Sequence, residues 1–165
     1  MKAPICEVCL NSGILCVACK RKLESGEITN SDIKVSRIVN KIAKKFRPLD
    51  EVEIKRVIEG EKMAAIICRK GDGPKLVGKD GVMIKRLSKL FGKPLRVVEE
   101  SETVKEFIQN LIHPVPMIGL NVIYKPDKEI LKVIIPRGEK IPASNRAFAD
   151  VVKKVFGKDL IFSRE

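Results

Sequence analysis

The chain of 165 residues has no tryptophan, one tyrosine, one histidine and one glutamine, and aromatic residues make up 4% of it. The lone histidine, His113, stands directly before Pro114. It reads as a helix-ending residue, with no second histidine and no loop cluster of acids around it. A nucleophile–base–orienter constellation is therefore not expected, and the chain does not read as an enzyme. Also missing is any run of about 18 apolar residues, so no membrane span is expected. The opening MKAPICEVCL lacks the apolar core of a signal peptide. Both absences point to a cytoplasmic protein whose thiols stay reduced.

Acidic residues are the other shortage. Lys and Arg number 33 against 21 Asp and Glu, a net charge of +12, while 44% of the residues are hydrophobic and can build a core. Such an excess favours a polyanionic partner, nucleic acid foremost. The charge is uneven: residues 1–30 carry +1, residues 31–113 carry +7 and residues 114–165 carry +4.

Residues 1–30 form a cysteine-rich unit. Beyond them, apolar residues at Ile33, Val35, Ile38, Val39, Ile42, Ala43 and Phe46 follow a helical period, with Ser31 or Asp32 as cap and Pro48 as stop. Strands are expected over 51–59 and 63–70, a helix over 82–91 ended by Gly92, a strand over 94–100 and a helix over 103–112. The pattern then partly recurs. Strands over 117–125 and 129–136 lead through the loop RGEKIPASN (137–145) into a helix over 146–157 and a strand over 158–163. Strand, strand, loop, helix, strand thus occurs twice, with VFGKDLIFS echoing LFGKPLRVV, and reads as a diverged internal duplication.

Two motifs carry chemistry. In CEVCLNSGILCVAC, Cys6, Cys9, Cys16 and Cys19 make two C-x-x-C pairs with six residues between them. Four thiolates suit a closed tetrahedral zinc site of structural type. An iron–sulfur cluster takes four cysteines as well, and a redox C-x-x-C enzyme is the outsider, disfavoured without a thioredoxin-like strand–helix pattern. The fifth cysteine, Cys68 in AAIIC, reads as core.

The second motif is GPKLVGKDG, residues 73–81. Its glycine and lysine spacing approaches a nucleotide-binding P-loop, but Asp80 stands where that loop needs Ser or Thr to hold magnesium. The Gly-x-x-Gly from Gly78 to Gly81 fits its context better. An apolar segment enters the loop and the basic amphipathic stretch VMIKRLSKLF leaves it, which resembles the KH domain, whose Gly-x-x-Gly loop clamps single-stranded RNA. Glycines let the backbone approach sugar-phosphate closely. Lys79, Lys85, Arg86 and Lys89 supply charge, and Val77 or Ile84 an apolar floor for bases. Asp80 cancels part of that charge. An ordinary turn between two helices is the plain alternative. The RNA-binding set expected on this reading is Val77, Gly78, Lys79, Asp80, Gly81, Ile84, Lys85, Arg86 and Lys89.

Residues 31–113, and less closely 114–163, resemble the tandem KH region of archaeal NusA-like transcription factors. VGKDGVMIKRLSKLFGKPLRVVEES and EFIQNLIHPVPMIGLNV carry the likeness. The resemblance implies an α+β chain: a four-cysteine zinc module (1–30), a type II KH domain (31–113) and a divergent second one (114–165). That second unit has a degenerate loop, since Gly138 is followed by Ile141 and Pro142 rather than a second glycine. Arg137, Lys140 and Arg146 would give it at most a basic patch. The implied function is that of a single-stranded RNA-binding accessory factor of transcription elongation or termination. A ribosome- or translation-associated RNA-binding protein is the alternative, so RNA polymerase and ribosomal subunits are the partners to test.

Overall fold

A computed structural model describes all residues 1–165. Elements follow in the order α1 (Glu7–Ser12), α2 (Val17–Glu24), α3 (Asn30–Ala43), β1 (Ile54–Glu59), β2 (Ala64–Cys68), α4 (Gly73–Val77), α5 (Val82–Phe91) and β3 (Leu95–Glu99). They continue as α6 (Val104–Ile112), β4 (Gly119–Tyr124), β5 (Glu129–Ile135), α7 (Asn145–Phe156) and β6 (Asp159–Arg164). Six strands make two separate three-stranded sheets.

The two sheets share one connectivity. β1 runs antiparallel to β2, which runs parallel to β3. Likewise β4 is antiparallel to β5, and β5 parallel to β6. A parallel neighbour requires a crossover, which α5 supplies in the first case and α7 in the second. The expected repeat is thus present as a recurring helix, strand, strand, helix, strand order.

The chain divides into two compact units. One comprises Met1–Glu59 with Ala64–Glu100, the other Gly60–Met63 with Ser101–Glu165. These divisions differ from the expected boundaries after residues 30 and 113. The cysteine-rich segment belongs to the first unit, and α6 groups with the second. The reason for the former is visible in the packing. Ile5, Cys9, Leu10, Cys19 and Ile28 share a buried cluster with Ile33 of α3. The N-terminal segment also pairs with the sheet side of the unit, Lys2 N–H donating to Val52 O at 3.0 Å and Ile54 N–H to Lys2 O at 2.9 Å.

α3 starts two to three residues earlier than its apolar period suggests. Its cap is Thr29, not Ser31 or Asp32: Thr29 Oγ1 accepts from the Asp32 N–H at 3.2 Å, and Asp32 Oδ2 accepts from the Thr29 N–H at 2.8 Å. This reciprocal capping box satisfies two of the helix's orphan donors. The other Asp32 oxygen accepts the Val57 N–H at 2.6 Å, tying the helix start to β1. Val35, Val39, Ile42 and Ala43 of α3 then pack with Val57, Ala64 and Ile66 of the sheet and with Met83, Leu87 and Phe91 of α5. Each fully buried aliphatic side chain of this kind contributes about 1.5–3 kcal/mol relative to exposure. Phe46, expected to continue the helix, lies beyond its C-cap at Lys44 and is 40% exposed.

Candidate nucleic-acid interface and metal centre

The glycine loop is built by a short helix that the sequence pattern does not reveal. α4, GPKLV, buries Leu76 and closes at Gly78, whose N–H donates to Pro74 O at 2.9 Å. Gly78 has φ 75° and ψ 174°, a conformation open essentially to glycine alone. A Cβ there would also lie 2.7 Å from Met83 Cβ and 3.0 Å from Met83 N. Gly78 is thus demanded by both backbone and packing. Asp80 sits at φ 55°, ψ 25°, in the left-handed region. Aspartate and asparagine are the non-glycine residues that enter it most readily, which accounts for an acid in a basic loop.

Gly81, at φ 73°, is the N-cap of α5, and no side chain caps the helix start. The Val82 N–H donates back to Lys79 O within the turn Lys79–Gly81, and the positive end of the helix dipole lies at that turn. Lys79, Asp80, Lys85, Arg86 and Lys89 are exposed, while Val77, Gly78, Gly81 and Ile84 are half-buried.

The expected binding set does not line a single groove. Ile84, Lys85 and Lys89 line an open groove of about 540 Å³, together with Ser88, Gly92, Lys93, Pro94 and Leu95. Arg86 points instead to a second groove, on the α3 side of α5. Val77 lines neither of the two. The first groove runs between α5 and the start of β3, with Ser88 as the pin. Its hydroxyl donates to Ile84 O at 2.7 Å and accepts the Leu95 N–H at 2.9 Å. Three lysines and no acid line this groove, and Ile84, Pro94 and Leu95 give it an apolar floor. Lys93 is partly neutralised by Glu59 at 2.8 Å. The Lys93 ammonium, followed by the Ser31 hydroxyl, holds the Glu59 carboxyl below its ordinary range. Sequence reading misses Ser88, Lys93 and Leu95, and the run LFGKPL is their signal: a glycine helix stop directly followed by the strand that walls the groove.

In the second unit the corresponding segment 136–144 contains no helix, and only Gly138, at φ 85°, takes a positive φ there. Ser144 caps α7, its Oγ accepting the Ala147 N–H at 3.1 Å. The start of α7 thus carries the side-chain cap that the start of α5 lacks. Arg137, Lys140 and Arg146 are exposed, and Arg146 lies 3.7 Å from Glu61.

The four cysteines do come together. Their sulfur atoms all lie within 4.8 Å of one another, Cys6 to Cys9 at 3.4 Å and Cys6 to Cys16 at 3.9 Å. Tetrahedral ligands about 2.3 Å from one ion would stand a little under 4 Å apart, so the set can hold a metal ion. Each pair opens a helix: Cys6 and Cys16 are the N-caps of α1 and α2, and Cys9 and Cys19 follow one turn on. Cys9 and Cys19 are buried, Cys16 is half-buried and Cys6 is exposed.

Backbone donors favour the thiolates. The Cys19 N–H, then the thiols of Cys9 and Cys19, draw Cys16 down to about 6, and the Cys9 N–H and thiol lower Cys6. Cys9 accepts the Cys16 N–H, yet burial and the neighbouring thiols prevail and push it up to about 12. A ring of thiols that cannot all ionise unaided is one that a cation would discharge. α3 anchors the cluster from behind. Arg37 donates to Cys9 O at 3.2 Å and to Ile14 O at 3.1 Å, and Asn40 to Asn11 Oδ1 at 3.1 Å. Cys68 is apart from the cluster, fully buried, and pushed up to about 12 by burial and by the carboxylates of Glu99 and Asp72.

No helix is long and apolar enough to cross a membrane. No protein-family model matches the chain. Over 72 residues it is 28% identical to a probable transcription termination protein NusA of Methanocaldococcus jannaschii, a match covering 44% of this chain and 39% of that protein. Its backbone is similar to the crystal structure of APE1850, with a TM-score of 0.60 and 20% identity, over 84% of this chain and all of that one. The first likeness is a partial, distant NusA-like relationship; the second is a likeness of fold alone.

Proposed function

We propose that the chain is a cytoplasmic single-stranded RNA-binding accessory factor of transcription, of NusA-like type, built from two type II KH-like units and an N-terminal zinc module. Its role is binding, with no chemical step. The observation that carries this reading is the acid-free groove with an apolar floor along α5, whose lining residue Ile84 is also the nearest neighbour of a Cβ built on Gly81 of the two-glycine loop.

In this reading the backbone at Gly78 and Gly81 approaches the sugar-phosphate with no Cβ in the way. The positive end of the α5 dipole and the Lys79 ammonium face phosphate oxygens. Lys85 and Lys89 follow the chain along the helix, and bases lie over Ile84 and Leu95. The mixed sheets, with their parallel crossover strands, agree with the type II order, and the 72-residue NusA-like match supports the transcription setting. The capped start of α7 and the lack of a glycine pair after Gly138 make the second unit a support rather than a clamp. Zinc is the ion we assign to Cys6, Cys9, Cys16 and Cys19, because sulfurs all within 4.8 Å of one another enclose a single ion rather than a cluster, and four thiolates are a usual closed set for structural zinc.

The test is an anisotropy titration of short single-stranded RNA, and of the same RNA as a duplex, at several salt concentrations. Three lysine–phosphate contacts give a slope of log affinity against log salt of about −2 for the single strand. Equal binding of the duplex, or salt-independent binding, would overturn the clamp. Co-purification then separates settings: recovery with RNA polymerase supports the transcription role, and recovery with ribosomal subunits alone replaces it.

A further inference from the structure

The face of α5 turned away from the proposed RNA groove carries a second groove, of about 450 Å³, between α3 and α5. Its floor is apolar: Ile38, Ile42 and Met83, with Phe46 and Leu90 at the edges. Phe46 is 40% exposed and Leu90 54%, so two large hydrophobic side chains stand open to water side by side with cations. Lys41, Lys45 and Arg86 form the rim.

We propose that this groove is a docking site for an acidic amphipathic segment of a partner protein. It is independent of the RNA reading. Charge complementarity selects the occupant. α5 contains no acidic residue, and the one acid of α3, Asp32, is buried in the capping box. The cations on these helices that do not face the groove are engaged or lie elsewhere: Lys34 donates to Phe91 O at 2.8 Å, Arg37 binds the cysteine loop, and Lys85 and Lys89 line the other groove. The rim therefore offers three cations with no internal counter-charge.

A channel between two helices takes the apolar stripe of a third, spaced i, i+3, i+4 and i+7. Glutamates on the flanks of such a segment meet Lys41, Lys45 and Arg86. RNA is the poorer occupant. The groove has no glycine loop and no helix start, and its only ring, Phe46, is at the edge, whereas nucleic-acid grooves combine backbone-tracking charge with stacking platforms. A second copy of the chain is poorer still, since its net charge of +12 opposes this rim.

The probe is a synthetic helix-forming peptide of about sixteen residues, with Leu and Phe at the stripe positions and Glu on its flanks. A scrambled peptide of the same composition and a uridine oligomer are the controls. Binding to the full, metal-loaded chain is followed by amide NMR shifts and by titration. The patterned peptide is expected to bind about tenfold more tightly than the scrambled one and to shift Ile38, Lys41, Phe46, Met83 and Leu90. Leu90→Glu, at an exposed position that leaves the fold intact, is expected to weaken it about tenfold. Lys45→Glu weakens it a few-fold, most at low salt. The affinity for RNA stays as it was in both variants. No peptide binding up to about millimolar concentration, equal binding of the scrambled peptide, or shifts lying elsewhere each overturn the proposal. So does a uridine oligomer that shifts these residues while the peptide does not, which would give the groove to nucleic acid.

Discussion

Replacing Gly78 by alanine should damage the first unit far more than the same change at Gly81, three residues on. At Gly78 the backbone stands at φ 75°, ψ 174°, where a side chain costs about 1–3 kcal/mol in strain. The new methyl would also be 2.7 Å from Met83 Cβ and 3.0 Å from Met83 N, neither a flexible side-chain end. Met83 is buried in the core under α5, so relief requires moving the helix start. Overpacking of this kind adds about 1–3 kcal/mol, and the total is about 2–6 kcal/mol. Gly81, at φ 73°, ψ 13°, is left-handed helical, and a Cβ there meets nothing nearer than Ile84 Cγ2 at 3.9 Å. Its cost is about 1–2 kcal/mol. Urea melts of the two variants measure both numbers. For a unit of roughly 100 residues, each kcal/mol also lowers Tm by about 4–8 °C. Equal destabilisation by the two substitutions would refute the reading of Gly78 as a packing-locked turn. RNA titration adds a second contrast, because Gly81→Ala leaves a folded loop that carries a methyl where, on the proposed reading, phosphate approaches.

Further outcomes follow from the same geometry. Cys9→Ser should abolish retention of the metal ion proposed for the cysteine cluster, read by elemental analysis, and loosen the core shared by Leu10, Ile28 and Ile33; full retention would remove Cys9 from the ligand set. Asp72 is buried, which disfavours its charge, but the Glu53 N–H at 2.9 Å and the Arg69 guanidinium at 3.1 Å outweigh burial and hold its carboxyl below the usual range. A depressed folded value means that its stabilisation is complete above the unfolded value of about 4 and is lost as pH falls through the folded one. Asp72→Asn should therefore destabilise at pH 7 and flatten the acid side of the stability profile below about pH 4, measured by urea melts across pH. An unchanged acid limb would mean that Asp72 titrates alike in both states. Reversing Arg137 and Lys140 together should change RNA affinity less than about twofold, whereas Lys85→Glu with Lys89→Glu should cost about tenfold or more. The opposite ranking would move the clamp to the second unit.

Most strands and long helices are legible in the sequence because their apolar residues keep a period. Val57, Ala64, Ile66, Leu95 and Val98 alternate or run as buried strands do, and Met83, Leu87 and Phe91 mark one face of α5. What escapes is set by other forces. α1 and α2 are short, and their starts are fixed by thiols at N-cap positions, not by an apolar stripe. α4 has five residues and opens Gly-Pro, so composition reads it as loop. The α3 cap is missed because its box uses Asp32 where glutamate or glutamine is usual. At the site, the glycine loop and the cysteine cluster can be read from spacing. The split of α5 into two basic faces is legible only in part: helical spacing sets Arg86 about 100° round from Lys85, but the groove each one lines depends on α3 and β3 packed on either side. Lys93 and Leu95 join the groove through the parallel pairing of β2 with β3, a long-range fact absent from local pattern. The packing of the cysteine segment on α3 through Arg37, Asn40 and Ile33 is likewise absent from composition.

The most direct test of RNA clamping at the glycine loop is the affinity of Lys79→Asp for short single-stranded RNA, with its melt as a fold control. Lys79 is exposed and its side chain makes no contact that the core depends on, so the melt should match that of the natural chain. Affinity should fall at least about tenfold and the salt slope by about 0.7, one phosphate contact's share. Unchanged affinity with an unchanged melt would contradict the account and reduce Gly78–Gly81 to a turn between two helices.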